Sequence, residues 1–259
     1  MVAAATALMV AGTAAVEMSL YRDQAVVLRS WKLGEADRIV SLHTYDNGKV
    51  RGVAKGVRRT KSKFGARLEP LSHVSIQLYR GRSDLDTITQ VETISRFVSL
   101  RGDPQRFARA QALLEAVEGV AQDREPDRPL HVMLVKALGT LAARDSGLVV
   151  AAFFLKLLAH EGLQPQLDVC YRCGTPSELV AFDLDEGGVL CRQCRRGRPV
   201  SAEAVELMRR ILSGGLRSVL AEESTSPSGS STEVEALATA LLEHHLERRL
   251  RSIAVLDQT

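Results

Sequence analysis

Four cysteines in two closely spaced pairs are the residues of this sequence that most directly indicate chemistry. Their spacing is C-x2-C-x17-C-x2-C, and they are Cys170, Cys173, Cys191 and Cys194. Each C-x-x-C pair favours a tight turn in which both thiolates face one ion, and two pairs complete a tetrahedron. Four protein ligands leave no coordination position open for an activated water. The spacing therefore predicts a zinc ion that stabilises a small ribbon and takes no part in catalysis.

Two other uses of the cysteines fit this spacing less well. Two disulfides would suit a small secreted chain with more dispersed cysteines, and a redox dithiol normally occurs as one pair beside a βαβ unit. Because the sequence also has no convincing export signal, reduced thiols in the cytoplasm are the expected state. Three acids, Asp183, Asp185 and Glu186, precede a Gly-Gly pair and could suggest a second metal site. A turn between two strands of the ribbon is the interpretation that this pattern favours.

Arginines are frequent around the two cysteine pairs. The sequence leaves open whether they offset the negative charge of the thiolates or contact phosphates. They are Arg172, Arg192, Arg195, Arg196 and Arg198.

The second chemical signal is a concentration of positive charge. Residues 49–67 contain eight Lys and Arg residues and no acid, whereas the formal net charge of the whole chain is only +3. A charge run is usually a solvated surface, but like charges repel one another and rarely concentrate in a purely structural loop. The pattern therefore favours a nucleic-acid backbone as the partner.

Few aromatic residues accompany these cations. The candidates are Trp31, Tyr45, Phe64 and Tyr79, and each is more typical of a core than of a base-stacking platform. Phe64, which lies among the Lys and Arg residues of this segment, is expected to be the most exposed of them. The sequence thus predicts binding through backbone electrostatics, with low sequence specificity and strong salt dependence.

No group of catalytic residues is apparent in the sequence. A nuclease or hydrolase would need grouped acids or an open metal site, and the histidines are scattered at His43, His73, His131, His160, His244 and His245. The P-loop pattern of nucleotide hydrolases is also absent. We therefore expect a protein that is not an enzyme and has no catalytic residues.

Strand patterns dominate the first hundred residues. Asp46-Asn47-Gly48 predicts a tight primed hairpin turn, because Asn-Gly supplies the positive φ angles that such a turn requires. Five short strands without a helical period favour a small barrel. The predicted strands span residues 24–29, 39–45, 49–55, 74–79 and 86–98.

Helical patterns follow the predicted barrel. Asp103 is a capping residue and Pro104 suits the first helical position, so a helix is expected from there to Val120. A flexible linker is expected at residues 224–232. Further helices are predicted at residues 130–143, 149–161, 201–212 and 233–250.

Apolar segments of the sequence exclude some classes of protein. No run approaches the ~18 uninterrupted apolar residues of a membrane span, so no membrane partner is expected. The first residues are Ala-rich, but a signal peptide needs a basic region and no Lys or Arg precedes Arg22. Residues 1–17 are therefore expected to be a disordered extension or to precede the true start at Met18.

A family resemblance covers nearly everything from Leu20 to Leu250. In the barrel it rests on Ala25-Val26-Val27-Leu28, on the segment 34–40, on Gly48-Lys49, on Ala54-Lys55-Gly56-Val57-Arg58-Arg59 followed by Lys61-Ser62, and on Leu68-Glu69-Pro70-Leu71. In the bundle it rests on Leu157-Leu158, Gly162-Leu163, Pro165, Leu167, Cys170 and Cys173-Gly174. With these motifs in this order, the chain resembles the RecO family of bacterial DNA-repair and recombination-mediator proteins.

The resemblance implies an α+β multidomain fold. An N-terminal OB-fold β-barrel would span residues 18–100, and an α-helical bundle would span residues 101–259 and carry the zinc ribbon at 168–198. It also implies a cytoplasmic, nucleoid-associated protein of DNA repair and recombination. Such a protein binds single- and double-stranded DNA, anneals complementary strands, and helps load recombinase onto strands coated by single-strand binding protein.

The implied partners are the mediator RecR and the C-terminal tail of the single-strand binding protein. That tail would need an apolar groove with a basic rim, for which Lys156 is a candidate, although Phe153, Phe154, Leu157 and Leu158 are more typical of plain core. The residues expected to contact DNA are Lys55, Arg58, Arg59, Lys61, Lys63 and Arg67, followed by Arg38, Lys49 and Arg51. The alternative interpretations of a barrel followed by a ribbon are a transcription or translation factor and a metal-dependent nuclease.

Overall fold

The computed structural model of the protein describes residues 19–60, 62, 64–81, 83–223 and 229–256. The expectations for residues 1–17 therefore lie outside the described residues. Two predicted DNA contacts, Lys61 and Lys63, lie outside them as well.

A closed five-stranded barrel forms the N-terminal part of the fold, in the strand order β1-β2-β3-β5-β4. All neighbouring strands are antiparallel except β3 and β5, which are parallel. Alternate residues such as Val40, Leu42 and Val50 fill its interior, as period-two patterning requires. The strands are β1 (Leu20–Leu33), β2 (Asp37–Thr44), β3 (Gly48–Ala54), β4 (His73–Tyr79) and β5 (Leu85–Ser95).

This barrel confirms the predicted fold class, although β1 is longer than the predicted strand. It extends at both ends because it pairs with β4 through its first half and with β2 through its second half. A register shift between Val27 and Arg29 separates the two halves. Such a bulge bends a strand and lets it turn a barrel corner.

The hairpin between β2 and β3 occurs where the sequence predicts it, but its turn is of another type. Of Asn47 and Gly48, only Gly48 has a positive φ, of 66°. Thr44 accepts a hydrogen bond from the Asn47 amide through its hydroxyl, and donates that hydroxyl to the Gly48 carbonyl oxygen. This pattern matches a three-residue turn followed by a left-handed glycine, which also joins antiparallel strands.

A helical bundle follows the barrel. Its first long helix begins as the sequence predicts, since the Asp103 carboxylate accepts a hydrogen bond from the Arg106 amide and Pro104 is the first helical residue. The most buried helix, α4, lies at the centre of the large apolar core. The helices are α1 (Val98–Arg101), α2 (Pro104–Val120), α3 (Arg128–Ala143), α4 (Gly147–His160), α5 (Ala202–Leu212), α6 (Leu216–Glu223), α7 (Gly229–His245) and α8 (Arg251–Leu256).

The predicted linker and last helix differ from the structure. Helix α7 already begins at Gly229, inside the predicted linker, and residues 224–228 lie outside the described residues. The helix ends at His245, because Glu247 adopts a left-handed φ of 51° and the Arg248 amide closes back on the Glu243 carbonyl. Leu250 therefore lies beyond α7 and is buried in the core just before α8.

A small three-stranded sheet is inserted between α4 and α5. Its strands are β6 (Leu179–Asp183), β7 (Gly188–Cys191) and β8 (Arg198–Pro199), with β6 in the centre. Its own apolar cluster is small, whereas Phe182 and Val189 reach into the main helical core. The ribbon thus has one side attached to the bundle and little core of its own. Among the described residues, no helix has the length and apolarity needed to cross a membrane.

Candidate metal centre and nucleic-acid interface

The four cysteines meet at one end of the ribbon. Cys170 and Cys173 lie in the turn before β6, Cys191 is the last residue of β7, and Cys194 lies in the following turn. Their sulfur atoms all lie within 4.8 Å of one another, and Cys173 Sγ is 3.7 Å from Cys191 Sγ. A tetrahedral zinc ion with Zn–S bonds of about 2.3 Å would separate its sulfurs by about 3.8 Å.

These distances distinguish the alternatives that the sequence raised. A disulfide needs an S–S distance of about 2.05 Å, and all four cysteines are free. The donor set and its spacing therefore fit one zinc ion bound by four thiolates. Within the described residues, this is also the sole group of three or more His, Cys, Asp or Glu side chains close enough to share a metal ion.

The backbone around the first cysteine pair directs amide N–H groups at the Cys170 sulfur, which stabilises the thiolate form. Gly174, with a φ of 75°, lets its amide turn back to the Cys170 carbonyl oxygen at 2.8 Å. Burial acts to raise the pKa of Cys170, but amide N–H groups of Cys191, Cys173 and Arg172 directed at its sulfur outweigh that effect and lower the pKa to about 6. This thiol is thereby prepared to bind a cation as thiolate.

Acids and arginines of the ribbon pair with one another to a large extent. Arg196 bonds the Asp183 carboxylate and also contacts Glu186 at 3.1 Å. Asp183 in turn accepts the amide of Asp185 at 3.1 Å, which is the turn that the sequence favours over a second metal. Arg192 pairs with Glu178. Of the arginines of the ribbon, Arg172, Arg195 and Arg198 have exposed side chains and make no ion pair with another described residue.

The basic loop, residues 55–67, follows β3, and its residues Gly56 and Arg58 lie against the β1–β2 hairpin. The Gly56 amide donates to Asp37 Oδ1 at 2.7 Å, and the Arg58 amide donates to the Ala36 carbonyl at 3.0 Å. The Arg58 guanidinium reaches the carbonyl oxygens of Gly34 and Glu35, at 3.3 and 2.8 Å. Arg58 thus holds the loop on the hairpin.

Phe64 corrects one expectation for this loop. Its side chain is 1% exposed and belongs to the barrel core, together with Leu68 of the short 3-10 turn at Gly65–Leu68. The sequence predicted Phe64 to be the most exposed aromatic. A single large apolar residue in a charged loop is more stable buried, because it anchors the loop while the cations stay in water.

The predicted DNA contacts fall into two groups. In the basic loop, Lys55, Arg58, Arg59 and Arg67 all have exposed side chains. The three cations on the strands each lie close to an acid. Arg38 lies 2.7 Å from Glu69, and Lys49 and Arg51 lie 3.5 and 3.6 Å from the carboxylate of Asp123.

Two aromatic residues of the barrel are exposed where the sequence favoured core. Trp31 is 36% exposed and Tyr79 is 37% exposed. Tyr45 instead lies against the ring of His131 and beneath the guanidinium of Arg128. Exposure of an aromatic residue on a strand depends on which face the helices cover, and strand patterning does not contain that information.

A groove of about 450 Å³ lies between α3 and α4. Phe153 and Val149 of α4 line it from one side, and Lys156 and Lys136 supply its two cations. The other three apolar residues considered for this site, Phe154, Leu157 and Leu158, are core residues with at most 3% exposure.

Three histidines that are distant in the sequence meet where the barrel contacts the helices. The rings of His43 and His73 each lie within 5.7 Å of the ring of His131, measured between centroids. All three are buried, and burial lowers the pKa of each. For His43 and His73, burial and the nearby His131 lower the pKa to about 4. They are neutral packing residues at neutral pH.

A second polar contact also joins the barrel to the helices. The Asp86 carboxylate is fully buried in the barrel and accepts hydrogen bonds from the Tyr21 hydroxyl and from Arg124, at 2.5 and 2.9 Å. Arg124 belongs to the loop between α2 and α3. Burial and the hydrogen bond to Asp86 raise the pKa of Tyr21 above its ordinary range. The helical part thus supplies the countercharge of a buried acid.

The comparison with protein families covers both parts of the fold. Residues 18–97 match the family model described as recombination protein O N terminal, and residues 101–254 match the one described as recombination protein O C terminal. Together the two matches include the barrel, the helical bundle and the four cysteines. The chain therefore belongs to the recombination protein O (RecO) family and has a role as a mediator in DNA recombination and repair.

Proposed function

We propose that this protein is a non-enzymatic mediator that binds single- and double-stranded DNA and anneals complementary strands. It acts in a RecF-type repair pathway in the cytoplasm, at the nucleoid, and helps load recombinase onto strands coated by single-strand binding protein. The observation that supports this best is the group of exposed cations in the described part of the basic loop, which Arg58 holds on the β1–β2 hairpin.

The chemistry of the loop suits annealing. Bringing two strands together requires neutralising two phosphate backbones without fixing either in register, and phosphate contacts carry no sequence information. In this proposal Lys55, Arg58, Arg59 and Arg67 of the described loop contact DNA, together with Lys61 and Lys63. Arg38, Lys49 and Arg51 contribute less, because each already faces an acid at 3.6 Å or closer.

In the same proposal the two parts of the chain have different roles. Residues 18–100 form the DNA-binding unit, and residues 101–259 form the helical unit that carries a structural zinc ion at 168–198. Cys170, Cys173, Cys191 and Cys194 bind that ion, and its binding energy stabilises a ribbon whose own apolar cluster is small. No reaction step passes through the metal.

Removing charge from the loop tests the DNA assignment. The variant Lys55→Ala/Arg59→Ala/Lys61→Ala keeps Arg58, whose hydrogen bonds hold the loop. We expect weaker binding at moderate salt and a shallower dependence of log K on log salt, by roughly 0.7–0.9 for each phosphate that the variant no longer neutralises. Strand annealing without nucleotide should slow in parallel, whereas the melting temperature should stay the same.

A matched control removes the same charge from the helical part. The variant Arg217→Ala/Arg249→Ala/Arg251→Ala lacks three exposed arginines, and it should bind and anneal DNA like the unaltered protein. If both variants lost DNA affinity and annealing rate to the same extent, net charge alone would explain the loss, and the loop would be rejected as the DNA site. Cleavage of DNA, or strictly sequence-specific binding, would reject the mediator function and favour a nuclease or a transcription factor.

The groove between α3 and α4 is proposed to bind the C-terminal tail of the single-strand binding protein. An apolar peptide with an acidic end suits an apolar floor that includes Val149 and Phe153 and two cations at Lys136 and Lys156. Replacing both lysines with Glu should weaken binding of a tail peptide at least tenfold, measured by fluorescence anisotropy, while DNA binding by the barrel persists. Unchanged peptide affinity would place the tail elsewhere. RecR is proposed as the second protein partner.

A further inference from the structure

The outer face of β1, β2 and β3 carries an apolar row that leads up to the basic loop. In the barrel register, Trp31 lies opposite Ile39, and Ile39 lies opposite Val53. The neighbouring residues Val40 and Ala54 fill the barrel interior, so alternation places the row on the outside. Ile39 and Val53 are half-buried, and Trp31 is 36% exposed.

Cations surround this row. The Arg29 guanidinium lies over the Trp31 ring, 5.9 Å from its centre, and Arg29 has an exposed side chain with no ion pair among the described residues. Arg51 occupies the corresponding outer position two residues before Val53, where it loosely faces Asp123, and Lys55 follows two residues after Val53. An exposed aromatic ring with one cation over it and others nearby on the same face of the barrel is complementary to a base and its phosphates.

The basic loop continues from this face. Trp31 lies three residues before Gly34, and the carbonyl oxygen of Gly34 accepts the Arg58 guanidinium. The Arg58 contact thus places the basic loop beside the end of the strand that carries Trp31. This juxtaposition of ring and loop is what distinguishes Trp31 from the other exposed aromatics.

We propose that Trp31 is a stacking platform for unpaired bases of single-stranded DNA, with Arg29 and Lys55 on the adjoining phosphates. The proposal rests on the DNA-binding function above and deepens it, because it makes the barrel prefer single strands. In a duplex the bases are already stacked on one another and their faces are not accessible to the ring. Phosphate contacts alone do not discriminate in this way.

Fluorescence gives a direct test, because Trp31 is the sole tryptophan of the whole sequence. A thymine oligonucleotide of about 16 nucleotides, a length within the range for one OB fold, is titrated into the protein. Stacking should quench the Trp31 emission strongly and saturably. An abasic oligonucleotide of equal length and charge should bind through its phosphates with little quenching. Equal quenching by the two strands, or none by the thymine strand, would overturn the proposal.

Variants separate stacking from electrostatics. Trp31→Ala should bind the thymine strand roughly tenfold more weakly, since stacking on one aromatic residue contributes about 1–3 kcal/mol per base, and should bind the abasic strand and a duplex as before. Trp31→Phe should retain most of the affinity. The control is Tyr79→Ala, because Tyr79 is equally exposed on the same barrel but pairs with Leu20 at the other end of β1. It should leave binding unchanged.

The outcomes for the two assignments are distinguishable. If Trp31→Ala binds every strand like the unaltered protein while the loop variant shows reduced salt-dependent affinity, the DNA-binding function stands and the stacking site is rejected. Equally weakened binding of thymine, abasic and duplex DNA by Trp31→Ala would also reject stacking. If the unaltered protein binds no DNA, both proposals fail together.

Discussion

Gly34 and Gly48 have similar backbone angles but very different surroundings. Their φ values are 58° and 66°, in the left-handed region that disfavours a side chain. A Cβ on Gly34 would meet no atom within 4 Å, whereas a Cβ on Gly48 would lie 2.0 Å from the carbonyl oxygen of Glu125. At Gly48 the α2–α3 loop lies directly against the barrel hairpin, so this glycine allows a backbone contact between the two parts of the fold.

We predict that Gly48→Ala is far more harmful than Gly34→Ala. Gly34→Ala should lower the free energy of unfolding by about 1–2 kcal/mol, the strain of a left-handed alanine. Gly48→Ala carries the same strain and also displaces backbone, so the decrease should be clearly larger. Urea denaturation of both variants measures the difference. Similar values would show that the loop moves away from Gly48 at no cost in stability.

At the residue scale, the sequence predicts some features of the candidate metal and DNA sites and not others. The spacing of the cysteines is sufficient to predict that they meet, because each C-x-x-C turn is a local structure. For Phe64 and Trp31 the sequence predicts the opposite of what the structure shows, because charged neighbours suggest exposure for Phe64 and residue type suggests burial for Trp31. Their exposure is decided by the barrel interior and by the position of the helices, which are properties of the assembled fold.

At the scale of elements, the ribbon depends on its metal more than the barrel or the bundle does. β6 and β7 are short, and the apolar cluster of the ribbon consists mainly of the cysteines themselves with Ala181 and Leu190. Without a bound ion, four thiols within 4.8 Å of one another would have little to hold them together.

Chelation of zinc, or the substitution Cys191→Ser, should therefore unfold the ribbon locally. We expect amide hydrogen exchange of β6 and β7 to increase by orders of magnitude, while exchange in the barrel and the emission of Trp31 stay as they were. DNA binding through the basic loop should persist. Protection of β6 and β7 that survives complete removal of the metal would show that packing of Phe182 and Val189 suffices.

Elements with strong local signals were predictable and weak ones were not. The barrel strands and the helices α2 to α5 follow from alternation, apolar periodicity and capping residues such as Asp103 and Ser201. The helices α1, α6 and α8 were missed. They have at most eight residues, and such short helices are stabilised by packing against the bundle more than by their own sequence.

At the scale of the whole molecule, the buried histidines join the barrel to the helices. His43 and His73 belong to β2 and β4, and His131 belongs to α3. Asp127 and Lys49 face His43, and Asp23 and Asp46 face His131, but burial outweighs the acids. The folded state therefore takes up protons at this junction less readily than the unfolded chain.

Acid should weaken this junction over a defined pH window. The pKa of His43 and His73 is about 4 in the folded state against 6.5 for an ordinary histidine, so their stabilising effect is present above about pH 6.5 and is lost as the pH falls to about 4. Within this window each of the two histidines should lower the free energy of unfolding by roughly 1.4 kcal/mol for each unit by which the pH falls. His73→Leu should flatten the pH dependence of the free energy of unfolding, whereas exposed His244→Gln should not. Parallel curves for both variants would contradict the assignment.

The pairing of Asp86 with Arg124 has a consequence for any attempt to excise the barrel. The family matches end at residue 97 and resume at residue 101, which invites expression of the N-terminal part alone. Such a truncated protein would leave the fully buried Asp86 without the guanidinium that now neutralises it. It would also uncover Val26 and Leu28, whose side chains belong to the helical core. A severed barrel should therefore be aggregation-prone, and adding the segment around Arg124 as a peptide should partly restore its solubility.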